Sequence, residues 1–190
     1  MKRIMILSGS NSPDSINARL AFYLMQQLRY RTEATYIDLR KYPLPLFNIE
    51  IEREAGVPVK ALELRQLLSR YDGFVITVAE HNGSVTAFFK NAMDWLSRAE
   101  KNYAVFGHKP VLIAGTSPGP GGARSAIAHA ENIIHRLAGK VVAKLTVPRF
   151  YDTMAGDDSA YTITDASIDS QLDEGLEKLL SELQVNARVA

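Results

Sequence analysis

Apolar residues along this chain fall into two kinds of run, and the two kinds alternate. Short, nearly continuous apolar stretches predict strands at Arg3–Leu7, Gly73–Ala79, Pro110–Ala114 and Val141–Val147. A fifth stretch, Ala34–Leu39, alternates more and is richer in polar residues, as an edge strand would be. Between these, apolar residues recur at helical spacing. Ser15–Arg29 carries Ile16, Leu20, Leu24 and Leu28, and Val59–Tyr71 carries Leu62, Leu64, Leu67 and Leu68. Val85–Arg98 carries Phe88, Phe89, Ala92 and Leu96, with Trp95 near the same face. Ala123–Leu137 carries Ile127, Ala130, Ile134 and Leu137, and Gln171–Leu183 carries Leu172, Leu176, Leu179, Leu180 and Leu183. Each pattern predicts an amphipathic helix.

Strands that are apolar almost throughout belong in a sheet covered on both faces, which means a parallel one. Strand and helix in alternation give a doubly wound α/β fold with right-handed crossovers. Five strands of this length best suit a flavodoxin-like three-layer sandwich with the sheet order 2-1-3-4-5. There is no internal repeat and no boundary, so residues 1–190 are expected to form one domain. Tyr42–Pro58 reads as a Pro-containing connection. Phe150–Asp169, with Gly156-Asp157-Asp158-Ser159, reads as a polar surface loop or lid, and Asn186–Ala190 as a frayed tail.

Composition narrows the chemistry. Hydrophobic residues make up 46% of the 190, enough for an ordered core. The net charge of +1 argues against a nucleic-acid partner held through phosphates and against a polybasic membrane anchor. No apolar run reaches the length of a membrane span, and Met1–Leu7 is too short for a secretory signal, so a cytoplasmic protein is expected. The chain has no cysteine. That excludes disulfides, thiolate chemistry and iron–sulfur clusters, so any redox work falls to a bound organic cofactor. His129 and His135 lie six apart, the wrong spacing for a metal-binding pair on one helix face, and His108 falls in a turn.

In an open parallel sheet, ligands bind beyond the carboxyl ends of the strands, at the switch point. The loops expected to meet there are Ser8–Ser15, Glu80–Ser84 and Gly115–Gly122, all rich in Gly, Ser, Asn or Thr. The first runs into a helix start, where free N–H groups and the positive dipole end favour a phosphate. Ser10, Ser12, Ser15 and the amide of Asn17 add donors. The same residues also suit a plain helix cap, with Ser12 as N-cap and Pro13 at the first helical position. Gly115-Thr116-Ser117-Pro118-Gly119 matches the G-x-S-x-G elbow of hydrolases. Pro118 rules out that chemistry, because the residue after the nucleophile must donate an N–H and proline has none. The loop is then either a flexible turn or a wall of backbone amides against a flat ligand.

Three motifs together resemble the NADPH-dependent FMN reductase family of flavodoxin-like proteins, which includes small quinone, azo-dye and chromate reductases. The first, like GSxRxxSxN, stands here as Gly9-Ser10-Asn11-Ser12-Pro13-Asp14-Ser15-Ile16-Asn17. The second, like PEYNGSxPxxLKNAxDW, runs from Ala79 to Trp95, and the third, SxGxxGGxR, from Ser117 to Arg124. The likeness extends from Lys2 to about Val147. It implies that Ser10, Ser15 and Asn17 hold the FMN phosphate, with Ser12 and Ile16 in the same set. It implies that Glu80, Asn82 and Gly83 lie beside the isoalloxazine and ribityl chain, with His81 and Ser84 next to them, and that Ser117 and Gly119 close the other side. Lys90, Asn91, Asp94 and Trp95 would be structural, on a helix that in the family tends to face a partner subunit.

Two departures stand out. The motif arginine is Ser12 here, with Asp14 adding negative charge, and a charge-assisted contact is roughly twice as strong as a neutral one. The motif tyrosine is His81, which either tunes the flavin or substrate or is a loop histidine at the pocket's border. The activity implied is two half-reactions at one flavin. NADPH or NADH gives a hydride to flavin N5, with no catalytic side chain, and a quinone, flavin or similar small acceptor is then reduced in the same cleft. A homodimer or homotetramer is implied as well. An electron carrier or a non-catalytic flavin-binding module is the alternative. Bulky residues at Asn82 and Gly83 are expected to abolish flavin binding and leave the fold intact.

Overall fold

A computed structural model describes residues 1–157 and 160–189. In chain order the elements begin with β1 (Arg3–Ser8), α1 (Ile16–Leu28), β2 (Glu33–Ile37), α2 (Ile49–Ala55), α3 (Val59–Ser69) and β3 (Gly73–Val78). A short hairpin follows, β4 (Glu80–His81) and β5 (Ser84–Val85), then α4 (Ala87–Arg98), β6 (Pro110–Thr116), α5 (Arg124–Arg136) and β7 (Lys140–Val147). The chain continues through α6 (Phe150–Thr153), a second hairpin of β8 (Met154–Asp157) and β9 (Ala160–Ile163), and α7 (Ala166–Val189).

The five-stranded sheet has the order β2-β1-β3-β6-β7, and every pairing in it is parallel. This is the expected 2-1-3-4-5 arrangement, counted over the sheet strands alone. Period-two alternation sorts the side chains. Met5, Leu7, Phe74, Ile76, Val111 and Ile113 pack with α3, α4 and α5 on one face. Ile4, Ile6, Val75, Leu112 and Ala114 pack with α1 and α7 on the other. All six residues of β3 are buried, as befits the middle strand, and β2 lies at an edge with most of its residues half-exposed.

Several expectations are corrected. The stretch expected as a surface loop or lid, Phe150–Asp169, holds α6, the second hairpin and the start of α7, with Asp158 and Ser159 outside the described residues. α7 begins five residues earlier than Gln171, because Asp165 accepts the N–H groups of Ser167 and Ile168 as a cap. It also runs through Asn186 to Val189 where a tail was expected; Ala190 lies outside the described residues. Tyr42–Pro58 contains α2, which buries none of its residues and so lacks the apolar stripe that would reveal it. The helix expected from Val85 starts at Ala87, because Thr86 caps it and Val85 pairs with Glu80 in the hairpin. No helix among the described residues is long and apolar enough to cross a membrane.

Candidate active site

The loops after β1, β3 and β6 meet at the carboxyl edge of the sheet, and buried polar side chains tie them together. Thr77, near the end of β3, donates from its hydroxyl to the Asn17 carbonyl in α1 (2.8 Å). Thr86 donates to the Gly9 carbonyl (2.6 Å), and its oxygen accepts the Phe89 N–H as the cap of α4. Thr116 donates to the Val147 carbonyl (2.6 Å). The side chain of Asn17 spans from α1 to β6, donating to the Thr116 carbonyl (3.1 Å) and accepting the Thr116 N–H (3.0 Å). Every member of this lattice is satisfied, which makes the scaffold under the loops rigid. Gly9 allows a close approach, since a Cβ there would lie 3.0–3.1 Å from Phe89 of α4.

Above the lattice is a cleft of about 260 Å³. It is lined by Ser10, Ser12, Asp14 and Ser15 from the first loop, Ile16 and Asn17 from the start of α1, Ala79 to His81 from the second loop, Thr116 to Pro118 from the third, and Tyr151 of α6. Ser15, not Ser12, is the N-cap of α1; its oxygen accepts the Ala18 N–H (3.2 Å). Ser12 instead accepts the Asp14 N–H, and Ser10 accepts that of Ser12. In these contacts the three hydroxyls act only as acceptors, which leaves their O–H groups to donate. The Ile16 and Asn17 N–H groups lie in the first turn of α1, where a helix offers no internal partner. This donor set suits a phosphate.

Not every expected residue reaches the cleft in the expected way. The Asn17 side chain is committed to Thr116, so its backbone N–H is what remains for a ligand. The Glu80 carboxylate accepts the N–H groups of Ser125 and Ala126 (3.0 and 3.1 Å). It therefore caps α5, whose own N-cap, Ala123, has no side-chain bond to offer. The Ser117 hydroxyl is used inside its loop, donating to the Gly119 carbonyl and accepting the Gly122 N–H (both 3.1 Å). Asn82 and Ser84 line a neighbouring groove of about 620 Å³ between α4 and α5, which also borders His81 and His129. There Ser84 and the Nδ1 of His129 share a 2.9 Å hydrogen bond. Gly83 and Gly119 line neither.

Asn82 and Gly83 form the two-residue turn of the β4–β5 hairpin, with φ of 52° and 76°. Asn-Gly between paired residues is a strong sequence signal for such a turn. Bulky residues there would strain the hairpin itself, so that substitution does not separate binding from folding. Lys90 pairs with Asp94. Asn91 and the Trp95 indole N–H both donate to the Pro45 carbonyl, and the Asn91 oxygen accepts the Phe47 N–H. The last two therefore hold the Tyr42–Asn48 segment in place.

The sequence reading missed the three threonines of the lattice and Tyr151. A threonine at the end of an otherwise apolar strand, as in Thr77 and Thr116, was the available sign for two of them. A larger cavity of about 740 Å³, lined by Met1, Phe22, Met25 and Glu33 among others, lies at the opposite ends of β1 and β2, away from the switch point.

Comparison with known proteins agrees with this geometry. The NADPH-dependent FMN reductase family model matches residues 2–151. An NADPH:quinone oxidoreductase of Arabidopsis thaliana is 35% identical over 126 residues, covering 65% of this chain and 62% of that protein. A 2-hydroxy-1,4-benzoquinone reductase of Burkholderia sp. is 31% identical over 131 residues, covering 69% of each. The aligned part thus spans roughly two-thirds of the length of these relatives. Among solved structures, the flavoenzyme FerB, an NAD(P)H:(acceptor) oxidoreductase from Paracoccus denitrificans, superposes with a TM-score of 0.73 at 24% identity. That alignment covers 97% of this chain and 98% of FerB, and shows the shared flavodoxin-like fold. The matched span contains all three loops and the helix that begins the cleft, and the chain belongs to the NADPH-dependent FMN reductase family.

Proposed function

We propose that this chain, as one domain over residues 1–190, is an NAD(P)H-dependent flavin oxidoreductase that reduces quinones or similar small acceptors. One observation carries the reading. The first-turn N–H groups of α1 and the donor hydroxyls of Ser10, Ser12 and Ser15 converge in a cleft at the switch point. FMN bound there supplies a ring that accepts and releases a hydride, a capacity absent from the side chains of a cysteine-free chain.

The residues of the chain position and enclose. Ser10, Ser12, Ser15 and the N–H groups of Ile16 and Asn17 hold the phosphate. Ala79 to His81, backed by the Glu80 bond to α5, form one wall, and Thr116 to Pro118 form the other. The Asn82–Gly83 turn and Ser84 set the height of the hairpin beside the ring. His81 borders both the cleft and the α4–α5 groove, where an entering acceptor would pass. The quinone reductases among the relatives support the acceptor class. The near-neutral charge supports the absence of a nucleic-acid partner, and the reading takes the enzyme as cytoplasmic and as a homodimer or homotetramer, the exposed Leu46, Ile49 and Ile51 supporting a contact between copies.

The test is an absorbance spectrum of the purified protein, taken before and after FMN and then NADPH or NADH are added without oxygen. The expected result is a flavin band that bleaches with reductant and returns with a quinone. Flavin uptake with no bleaching would make the chain an electron carrier or a non-catalytic module. No uptake would overturn the reading.

A further inference from the structure

Beyond the three family loops, the cleft has a fourth contributor that lies outside the motifs. Tyr151 lines it together with Ser10, Ser12, Ser15 and Ile16, and among the described residues it is the only Phe, Tyr or Trp that does so. It sits on α6, right after β7, and two backbone bonds clamp this turn onto the third loop. The Arg149 N–H donates to the Gly119 carbonyl (2.9 Å) and the Phe150 N–H to the Ser117 carbonyl (3.0 Å). The Phe150 ring is buried in the core at 3% exposure, while Tyr151 beside it is 70% exposed. The two rings meet edge to face with centroids 5.2 Å apart. On the far side, Thr164 donates its N–H to the Thr153 carbonyl (2.8 Å), so the hairpin braces the turn as well. A tyrosine held this firmly, and left this open, adds little to the core.

The cleft also lacks something. Among the described residues no Lys or Arg lines it, Ser12 stands where the family motif has an arginine, and Asp14 adds a carboxylate. We propose that Tyr151 is a cofactor-positioning residue that closes the cleft over the phosphate-bearing side chain of the flavin. Its hydroxyl donates to the phosphate and its ring covers the ribityl chain, in part replacing the missing arginine. A phenol O–H is a neutral donor, so it does this without a cation. The inference rests on the flavin-binding reading above and goes beyond it.

The experiment compares wild type, Tyr151→Phe and Tyr151→Ala, each stripped of flavin and titrated with FMN and with riboflavin, followed by flavin fluorescence. A hydrogen bond to a charged group predicts that Tyr151→Phe weakens FMN binding about tenfold or more. The same variant should leave riboflavin binding unchanged, since riboflavin has no phosphate. Tyr151→Ala should weaken both. Thermal midpoints equal to wild type would show that the fold is intact. Wild-type FMN affinity in Tyr151→Phe overturns the inference and leaves the flavin-binding reading standing. Equal weakening of both flavins in Tyr151→Phe overturns it too. A wild-type protein that binds neither flavin overturns both readings.

Discussion

Ser12 is the residue whose identity most changes what the cleft can do. With no Lys or Arg among the described residues that line the pocket, a phosphate there meets neutral donors and a helix end. Ser12→Arg should tighten FMN binding about tenfold or more, because a bond between two charged groups is worth more than a neutral one. Riboflavin affinity should stay put, and titration of the apoprotein with both flavins reads the difference. A rise in both affinities would place the new guanidinium away from the phosphate. Glu80 makes the opposite point, since its work is structural. Glu80→Ala removes the acceptor for two N–H groups of α5. It should cost about 1–2 kcal/mol of stability in urea. Glu80→Gln, which keeps an oxygen acceptor but loses the charge, should cost less. Equal losses in the two variants would mean that the charge matters and the geometry does not. The sequence marks Asn17, at a helix start, and Glu80, in a loop, as residues with polar heads. Their partners lie 99 and 45 positions further along, so only the folded chain shows that both heads are already occupied.

At the scale of elements, the amphipathic helices and apolar strands were legible because each buries a regular stripe. What escaped were elements without one. α2 buries nothing, and the two hairpins use strands of two to four residues, too short for a period to register. The seam between α1 and α7 also shows a pairing invisible in either helix alone. The Tyr23 hydroxyl donates to Asp169, and the Tyr23 hydroxyl is pushed well above its ordinary value by burial first and by that carboxylate second. Asp173, one turn on, has its carboxyl raised by burial and then by the charges of Asp169 and Glu177, against the pull of Arg31. A raised carboxyl value means that the folded state holds its proton more tightly than the unfolded one. The contribution to stability is therefore fully present at acid pH and is lost as pH rises through the folded value. Asp173→Asn removes this loss. Its urea midpoint relative to wild type should be higher at about pH 7 than at about pH 4. A relative midpoint that falls over that interval would refute the assignment.

For the whole molecule, the unpaired apolar surface is the main question. Leu46 is 77% exposed, and Ile49 and Ile51 of the neighbouring α2 are exposed as well. Asn91 and Trp95 hold this segment fast through the Pro45 carbonyl, so it presents a defined surface. A fixed apolar patch of this kind suits a self-complementary contact between two copies. Leu46→Asp combined with Ile51→Asp should convert the proposed oligomer to monomer in light scattering after size exclusion, while secondary structure is retained. A wild-type protein that already runs as a monomer would refute the contact.

The sequence by itself determined the layers, the parallel sheet with its strand order, and the edge where the loops gather. Those follow from local periodicity and from the rules of chain crossing, and need no long-range information. Motif likeness also marked the family. Tertiary structure alone decided which side chains in those loops are free. Thr77, Thr86, Thr116, Asn17 and Glu80 each spend their polar atoms on a backbone brought close only by folding. It also decided that Tyr151, beyond the motifs, faces the same cleft as the first loop. The physical reason is common to all of them. A hydrogen bond or a cleft wall depends on distance in space, and sequence spacing carries that distance only within a single helix, strand or turn.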